Sequence, residues 1–431
     1  MKKLKIVFIF LISVFTFTLT NNVFAEETYD PETRIRALNT IGTSIADDDP
    51  DHNLRFIGAN PNNYVSFNGQ IWRIIGVFDG RLKIIEDSIG YYSWDSSGVD
   101  VNDEYRNQWG ASGTYTGADL MKLLNPGYES NKDLKCNATY SECETNSSYV
   151  EGLVNNSLWW NGQSGYCYNY ANYVTVSCDF TTTGLQSDTA RNMIDTSIWY
   201  LGSNIASDNI WDGRITASYL YNMERSSYSG KQCSSGTYCT DTVDRTTTWQ
   251  GKVGLLYPSD YAYATGGGST YNRTQCLSYT VGYVSDSSVS NWNNTYTDCK
   301  NNDWLLPSSW TWSLSPSAHS SNSYFVFFVH TAGFVSSDGA MNARSVRPVV
   351  FLKSSVQFTG EGNGTQSKPF ELKDVSKEET NTSESTGTIS NEKQVVKTGN
   401  TGISQSSLLI IIGSIMVGAG SILIIRKRKS N

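Results

Sequence analysis

Few side chains in this chain of 431 residues are of the types that carry out catalysis. Its three histidines are His52, His319 and His330, and the nucleophile-elbow, zinc-protease and phosphate-loop motifs do not occur. An acidic pair such as Asp103 and Glu104 could serve a glycoside hydrolase, but such pairs arise by chance among 41 acids. The sequence therefore predicts no catalytic residue and no cofactor, with an enzyme as the alternative.

One acidic run could bind a cation. In ADDDPDHN, carboxylates recur at Asp47, Asp49 and Asp51, and calcium prefers oxygen ligands of this kind. The run lacks the glycine and the closing glutamate of an EF-hand, and an Asp-Pro step is typical of a turn. A solvated turn is the favoured interpretation, and a calcium site is the alternative.

The cysteines indicate an oxidising compartment. Their number is even and no C-x₂-C knuckle occurs, which favours disulfides over zinc, while buried thiols remain the alternative. Each neighbouring pair brackets a polar loop, so we predict that nearest neighbours pair. The predicted disulfides are Cys136–Cys143, Cys167–Cys178, Cys233–Cys239 and Cys276–Cys299.

Tryptophans in or near polar loops are the candidate ligand-binding residues. Exposed aromatic rings bind sugars and protein surfaces, and 13% of the chain is aromatic. For each single tryptophan, the favoured interpretation is that its ring fills a core that is poor in leucine, and ligand binding is the alternative. The candidates are Trp159, Trp160, Trp310 and Trp312, and alternation in SWTWS places the last two on one face.

The elements that must position these residues form an α+β domain with more strand than helix. Three apolar runs in residues 64–85, separated by an Asn-Gly and an Asp-Gly dipeptide, predict a β-meander with Lys83 outside the core. Short helices are predicted near 119–125 and from 187 to 202, with long disulfide-braced loops between and after them. Further strands are predicted within residues 251–264, 323–339 and 345–362.

Arg347 lies between apolar residues in the sequence SVRPVVFL. Its guanidinium is predicted to point at a carboxylate or at backbone carbonyls inside the fold. A role in ligand binding is the alternative.

Both ends of the chain are predicted to be targeting segments. A basic start, an apolar stretch and Val-Phe-Ala predict a signal peptide, residues 1–25, cleaved between Ala25 and Glu26, with a permanent anchor as the alternative. The uncharged residues 408–425, at about 1.5 Å per residue, can cross a bilayer as a single transmembrane helix. Four cations in the tail, residues 426–431, keep that end cytoplasmic and the rest of the chain outside.

The charge of the exported portion limits its partners. The formal net charge of −8 becomes −15 without the three lysines of the leader and the four cations of the tail. Such a surface repels nucleic acid, so no nucleic-acid partner is predicted. We predict a lead segment at 26–52, a globular domain at 53–372 and a flexible spacer, rich in Ser, Thr and Glu, at 373–394.

Several segments resemble an uncharacterised domain, of unknown function, of secreted and wall-anchored proteins of Gram-positive bacteria. They are NNYVSFNGQIWRIIGVFDG, DLMKLLNPGYES, GKVGLLYPSDYAYAT and WLLPSSWTWSLSPS…SVRPVVFLK, within residues 50–372. The closing pattern is similar to the C-type-lectin-like fold of formylglycine-generating enzymes. It implies a fold and not their activity, because no cysteine follows Cys299. The sugar-binding motifs of C-type lectins are missing too.

A short motif before the predicted membrane helix resembles the LPxTG sorting signal, which sortases cut between Thr and Gly before joining the protein to the cell wall. The motif is Val395-Val396-Lys397-Thr398-Gly399. It lacks the proline of the family pattern, which leaves a variant sortase or simple retention by the membrane helix. Covalent anchoring is the favoured prediction.

The sequence as a whole predicts an adhesin-like binding protein on a Gram-positive surface. This prediction rests on the anchor, the flexible spacer, the disulfide-braced loops and the aromatic residues. Its ligand would be an unknown glycan or protein. The alternatives are a wall-tethered hydrolase acting on glycans and a structural wall component without a ligand.

Overall fold

A computed structural model of the chain describes residues 27–95, 107–111, 117–128, 157–170, 174–202, 215–226, 246–284, 289–317 and 324–377. The strands in these residues are β1 (Thr28–Tyr29), β2 (Ile45–Ala46), β3 (Leu54–Phe56), β4 (Tyr64–Phe67), β5 (Gln70–Phe78), β6 (Arg81–Ile85), β7 (Tyr91–Ser93), β8 (Ser164–Tyr170), β9 (Val174–Asp179), β10 (Ser197–Tyr200), β11 (Thr248–Gly251), β12 (Val253–Leu255), β13 (Thr311–Pro316), β14 (Phe325–Val329), β15 (Val335–Gly339), β16 (Ala343–Ser345), β17 (Pro348–Phe351), β18 (Val356–Thr359) and β19 (Leu372–Asp374). The helices are α1 (Pro31–Leu38), α2 (Asp119–Leu124), α3 (Asp188–Met193), α4 (Ala217–Glu224), α5 (Pro258–Ala262), α6 (Arg273–Ser278) and α7 (Thr297–Asn301). The predicted strand-rich α+β class is confirmed.

The predicted β-meander is also confirmed and consists of β4, β5 and β6. Both connecting dipeptides have positive φ at their two positions, as type I′ turns require. The φ angles are 57° at Asn68, 73° at Gly69, 50° at Asp79 and 69° at Gly80. Asparagine, aspartate and glycine tolerate this conformation best, so the turn residues set the register of the three strands.

The meander lies inside a seven-stranded antiparallel sheet. Its strand order is β12-β17-β6-β5-β3-β2, and β4 pairs with β5 as a side branch. Trp72, Ile84 and Val350 on its central strands are fully buried, so this sheet carries much of the core. A second sheet has the order β15-β14-β13-β16-β7, in which β13 and β16 run parallel.

Three smaller sheets complete the domain. In one of them β18 pairs with both β1 and β19, and the other two are the pairs β8–β9 and β10–β11. Strand β1 pairs with β18, and β2 pairs with β3. The two strands of the predicted lead segment 26–52 are therefore part of the folded domain. The domain likewise continues past residue 372, since β19 includes the first two residues of the predicted spacer.

The helix predicted from 187 to 202 is wrong in its second half. Ser187 caps α3 as expected, accepting a hydrogen bond from the Ala190 backbone at 3.3 Å, but α3 ends at Met193. The following residues form β10, whose Trp199 pairs with Trp249 of β11. β-Branched and aromatic residues with a partner strand favour this extended form.

The prediction that Lys83 lies outside the core is wrong too. A register shift between Ile74 and Gly76 places a bulge in β5 opposite β6. Residues on both faces of β6 are covered, and Lys83, which pairs with Asp260 of α5, is 1% exposed.

Two of the four predicted disulfides are present. Cys167–Cys178 joins β8 to β9, and Cys276–Cys299 joins α6 to α7, with Cα–Cα distances of 6.0 and 5.4 Å. The pairs Cys136–Cys143 and Cys233–Cys239 lie outside the described residues. Among the residues that are described, no helix is long and apolar enough to cross a membrane, and the predicted span 408–425 is not among them.

Candidate functional site

A pocket of about 650 Å³, called the main pocket below, is lined by the seven-stranded sheet, the β10–β11 pair and α4. The lining residues that matter for its chemistry are Lys83, Ile198, Tyr200, Tyr221, Arg225 and Tyr257. These residues come from segments far apart in the chain and converge only in the folded domain.

The rim of the main pocket is apolar and accessible. On β10, Ile198 and Tyr200 are 60% and 39% exposed, whereas Trp199 between them is fully buried. This is the alternation of a strand with one face in the core. Deeper in the pocket, Tyr257 accepts a hydrogen bond from the Tyr200 backbone at 2.7 Å, which fixes the strand against the wall.

A chain of four buried charges lies behind the pocket wall. The Lys83 ammonium is 2.5 Å from the Asp260 carboxylate, which also receives a hydrogen bond from Arg55 at 3.0 Å. Arg55 in turn pairs with Asp49 at 2.6 Å. All four side chains are at most 2% exposed, so each charge depends on its neighbour for stabilisation.

Burial shifts the titration of this chain. Loss of hydration lowers the pKa of Lys83 to about 8, although Asp260 opposes the shift. Burial raises the pKa of Asp260, whereas the neighbouring Lys83 and Arg55 lower it. The net result is a pKa below the ordinary value of an aspartate. Aromatic rings surround the ammonium, with ring centroids 4.5 Å away at Tyr257 and 5.1 Å at Phe78.

The other cations of the main pocket also have carboxylate partners. Arg225 stacks 3.4 Å from the centre of the Tyr221 ring and pairs with Glu224 at 3.3 Å. Arg81 pairs with Asp195 at 2.9 Å. The pocket wall is therefore polar but locally compensated in charge.

Among the described residues, three carboxyl groups have a raised pKa, as a general acid requires. They are Glu86, Glu224 and Asp303, each raised mainly by burial, and for Glu224 the pKa is about 7. None of the three lines the main pocket. The carboxylates that do line it are Asp51 and Asp79, and the Asp79 side chain is 95% exposed at a turn.

The aspartates of the calcium alternative do not converge. Asp47 pairs with Arg36 at 3.1 Å, Asp49 belongs to the buried charge chain, and Asp51 accepts a 2.5 Å hydrogen bond from Tyr221. The Asp49 carboxylate also accepts backbone hydrogen bonds from residues 51 and 53, as a turn would require. In the parts of the chain that the structure describes, no three acidic, histidine or cysteine side chains are grouped to hold a metal ion.

Three of the four candidate tryptophans are in the core, as the favoured interpretation of these residues expects, so they form no exposed binding surface. Trp159 and Trp312 are fully buried and Trp160 is 6% exposed. Their bulk fills space between the sheets, and the indole N–H of Trp159 donates to Glu86 at 3.1 Å. Trp310 remains accessible at 39% exposure and stacks on Phe328.

Apart from Asp51 of the calcium alternative, the residues that line the main pocket were not among the predicted site residues. The one local signal for them is a lysine inside the apolar run RLKII, because a lysine in such a strand needs a buried partner. The predicted cleavage residues Ala25 and Glu26 and the sorting motif Val395–Gly399 lie outside the described residues.

No protein-family model matches the chain, and no curated protein or solved structure matches it at a significant level. The argument for function therefore rests on the site itself.

Proposed function

We propose that this chain is a surface-anchored binding protein and that the main pocket holds an uncharged polar ligand, such as one sugar unit of a glycan. The observation that carries the proposal is a wall that combines aromatic faces with hydrogen-bonding groups whose charges are already paired. A volume of about 650 Å³ is in the range of small-molecule sites, about 300–1,000 Å³.

The chemistry of the wall favours a neutral ligand over a charged one. Lys83, Arg81 and Arg225 each have a carboxylate within 3.3 Å. A bare anion would have to compete with those carboxylates, whereas hydroxyl groups can add hydrogen bonds without separating an ion pair. The face of Tyr200, which is 39% exposed, can stack against the apolar side of a sugar ring.

Binding is favoured over glycan hydrolysis by the position of the carboxyl groups. A glycosidase needs one carboxyl group that stays protonated near neutral pH and a second one across the scissile bond. Glu224 has such a pKa, but it accepts hydrogen bonds from the Ser259 backbone and hydroxyl and does not line the pocket.

The proposal includes the location of the protein. We infer that residues 1–25 are a signal peptide, that the LPxTG-like motif at 395–399 is cut by a sortase, and that the chain is joined to the wall of a Gram-positive cell. The membrane helix at 408–425 would hold the chain before or instead of this step. The arrangement of strands, short helices and braced loops is consistent with a C-type-lectin-like fold, which we propose on the sequence resemblance.

A glycan array probed with residues 26–379 tests the proposal. The decisive variant is Tyr200→Ala, and the matched control is Tyr283→Ala, because Tyr283 is 37% exposed and does not line the main pocket. We expect binding of the wild type and the control, and at least tenfold weaker binding of Tyr200→Ala.

Two results would contradict the proposal. Equal binding by Tyr200→Ala and the wild type would place the ligand elsewhere, and loss of binding in Trp310→Ala alone would move it to the exposed Trp310. Cleavage of an array glycan would instead support the hydrolase.

A further inference from the structure

A second pocket, of about 410 Å³, contains two arginine side chains and shares no lining residue with the main pocket. We call it the arginine pocket. Arg73 on β5 and Arg347, one residue before β17, face it together with Tyr64, Trp304 and the hydroxyl groups of Ser88 and Ser345.

The Arg73 guanidinium is held rigidly. It lies between two aromatic rings, 4.4 Å from the centroid of Tyr64 and 4.4 Å from that of Trp304. Its Nε–H donates to Asn63 at 2.7 Å, and the Trp304 indole is itself fixed by a 2.9 Å hydrogen bond to the Phe56 carbonyl. A cation fixed in this way loses little conformational entropy when it binds a ligand.

Arg347 is arranged in a similar manner. Its Nε–H donates to the Glu86 carbonyl at 3.0 Å, which confirms the prediction that it points at a backbone carbonyl. Among the described residues, its two terminal nitrogens have no hydrogen-bond partner. Each arginine thus uses its Nε–H for the fold, and the terminal nitrogens of Arg347 are left for a ligand.

The arginines also lack a close ionic partner among the described residues, although Asp87 and Glu86 oppose the lowering of the pKa of Arg347 by burial. No carboxylate of a described residue lies within 4.0 Å of either one, although Asp87 lines the same pocket at the exposed surface. Burial, and to a smaller extent Arg347, lower the pKa of Arg73 to about 10, while Tyr64 and Asp87 act in the other direction. Two desolvated like charges are costly, and a bound anion would remove that cost.

We propose that the arginine pocket is a binding site for an oxyanion, the carboxylate or phosphate group of a small ligand. The end of a guanidinium carries two parallel N–H donors, whose spacing matches two oxygens of such a group. The arrangement contrasts with the main pocket, where each cation is already paired, so the two pockets select ligands of different charge.

Titration of the full-length protein with simple anions tests this proposal. The probes are inorganic phosphate, sulfate and acetate, with chloride at equal ionic strength as the reference. The readout is the indole N–H signal of Trp304 in NMR spectra, assigned by its loss in Trp304→Phe. We expect this signal to move saturably at millimolar concentrations of at least one oxyanion and not with chloride, and the preferred oxyanion identifies the ligand group.

Variants then test the role of the cation. Arg347→Gln should weaken oxyanion binding at least tenfold. The control Arg36→Gln removes the same charge from a surface pair with Glu32 and should stay within twofold of the wild type. Arg347→Lys keeps the charge but loses the paired donors, so we expect an intermediate loss, and it replaces the glutamine variant if that one fails to fold.

The proposal is overturned if none of the three oxyanions moves the Trp304 signal of the wild type beyond the effect of chloride. It is also overturned if a folded Arg347 variant binds oxyanion as tightly as the wild type.

Discussion

Replacing Asp260 by asparagine should destabilise the domain more than most single substitutions. The carboxylate accepts from Lys83 at 2.5 Å, from Arg55 at 3.0 Å and from the Tyr257 backbone at 2.9 Å, and it is 1% exposed. In Asp260→Asn, Arg55 keeps Asp49 as its partner, but Lys83 becomes a buried cation without one. Removal of one partner of a buried ion pair costs about 3–5 kcal/mol, which we expect for this variant.

Lys83→Met, in contrast to Asp260→Asn, should not lower the free energy of unfolding. Its pKa of about 8, against 10.5 for an exposed lysine, means that the charged lysine costs about 3 kcal/mol at neutral pH even with Asp260 beside it. Methionine has a similar length and no charge, and Asp260 keeps Arg55. We therefore expect Lys83→Met to be at least as stable as the wild type. The double variant that combines Lys83→Met with Asp260→Asn should recover about 2–4 kcal/mol of the stability lost in Asp260→Asn alone.

The same group predicts the sign of a pH dependence. Because the folded pKa of Lys83 is lower than the unfolded one, the unfolded chain binds more protons between pH 8 and 10.5. The contribution of Lys83 to the free energy of unfolding thus rises with pH, by about 1–2 kcal/mol from pH 8 to 9.5. Lys83→Met should lack this increase.

The assay is urea unfolding followed by far-ultraviolet circular dichroism, with the disulfides oxidised throughout. A loss below about 1 kcal/mol in Asp260→Asn would show that the charge chain is not a buried network. A double variant as unstable as Asp260→Asn would refute the reasoning about Lys83.

Three further predictions concern other parts of the chain. Because burial raises the pKa of Glu224 to about 7, its contribution to the free energy of unfolding is complete below about pH 4.5 and is lost as the pH rises through 7. In urea unfolding, Glu224→Gln should lack this loss of stability. The same pH dependence in Glu224→Gln as in the wild type would contradict the prediction. Replacing both Cys276 and Cys299 by alanine removes a disulfide between residues 23 positions apart and should lower the free energy of unfolding by about 3 kcal/mol in oxidised samples. An unchanged urea midpoint of unfolding would argue against this disulfide. Thr398→Ala should shift the protein from the wall fraction to the membrane fraction of a Gram-positive host, and retention in the wall would exclude cleavage at Thr398.

The parts of the fold that local chemistry determines could be predicted from the sequence. Asn68-Gly69 and Asp79-Gly80 accept positive φ where few other dipeptides do, so the meander follows from the turns alone. Neighbouring cysteines separated by 11 and 23 residues also paired as expected, because each bond closes a local loop.

The errors occur where distant segments decide the outcome. The helix after Ser187 could not be limited to six residues without knowing that β11, some fifty residues later, supplies a partner for β10. The burial of Lys83 depends on Asp260 in α5 and on the ring of Tyr257, and no pattern around residue 83 contains these partners. Trp159 and Trp160 lie next to a polar loop in sequence, and their burial follows from the sheet that covers them.

The two pockets differ in how their cations are balanced, and this difference bears directly on ligand choice. In the main pocket, pairing of Lys83 with Asp260 removes the reason to attract an anion, so selectivity has to come from ring faces and hydrogen bonds. In the arginine pocket, no carboxylate of a described residue lies within 4.0 Å of Arg73 or Arg347, so positive charge faces a ligand there. We infer that the domain recognises a ligand with both a neutral ring and an acidic group, or two separate ligands of these kinds.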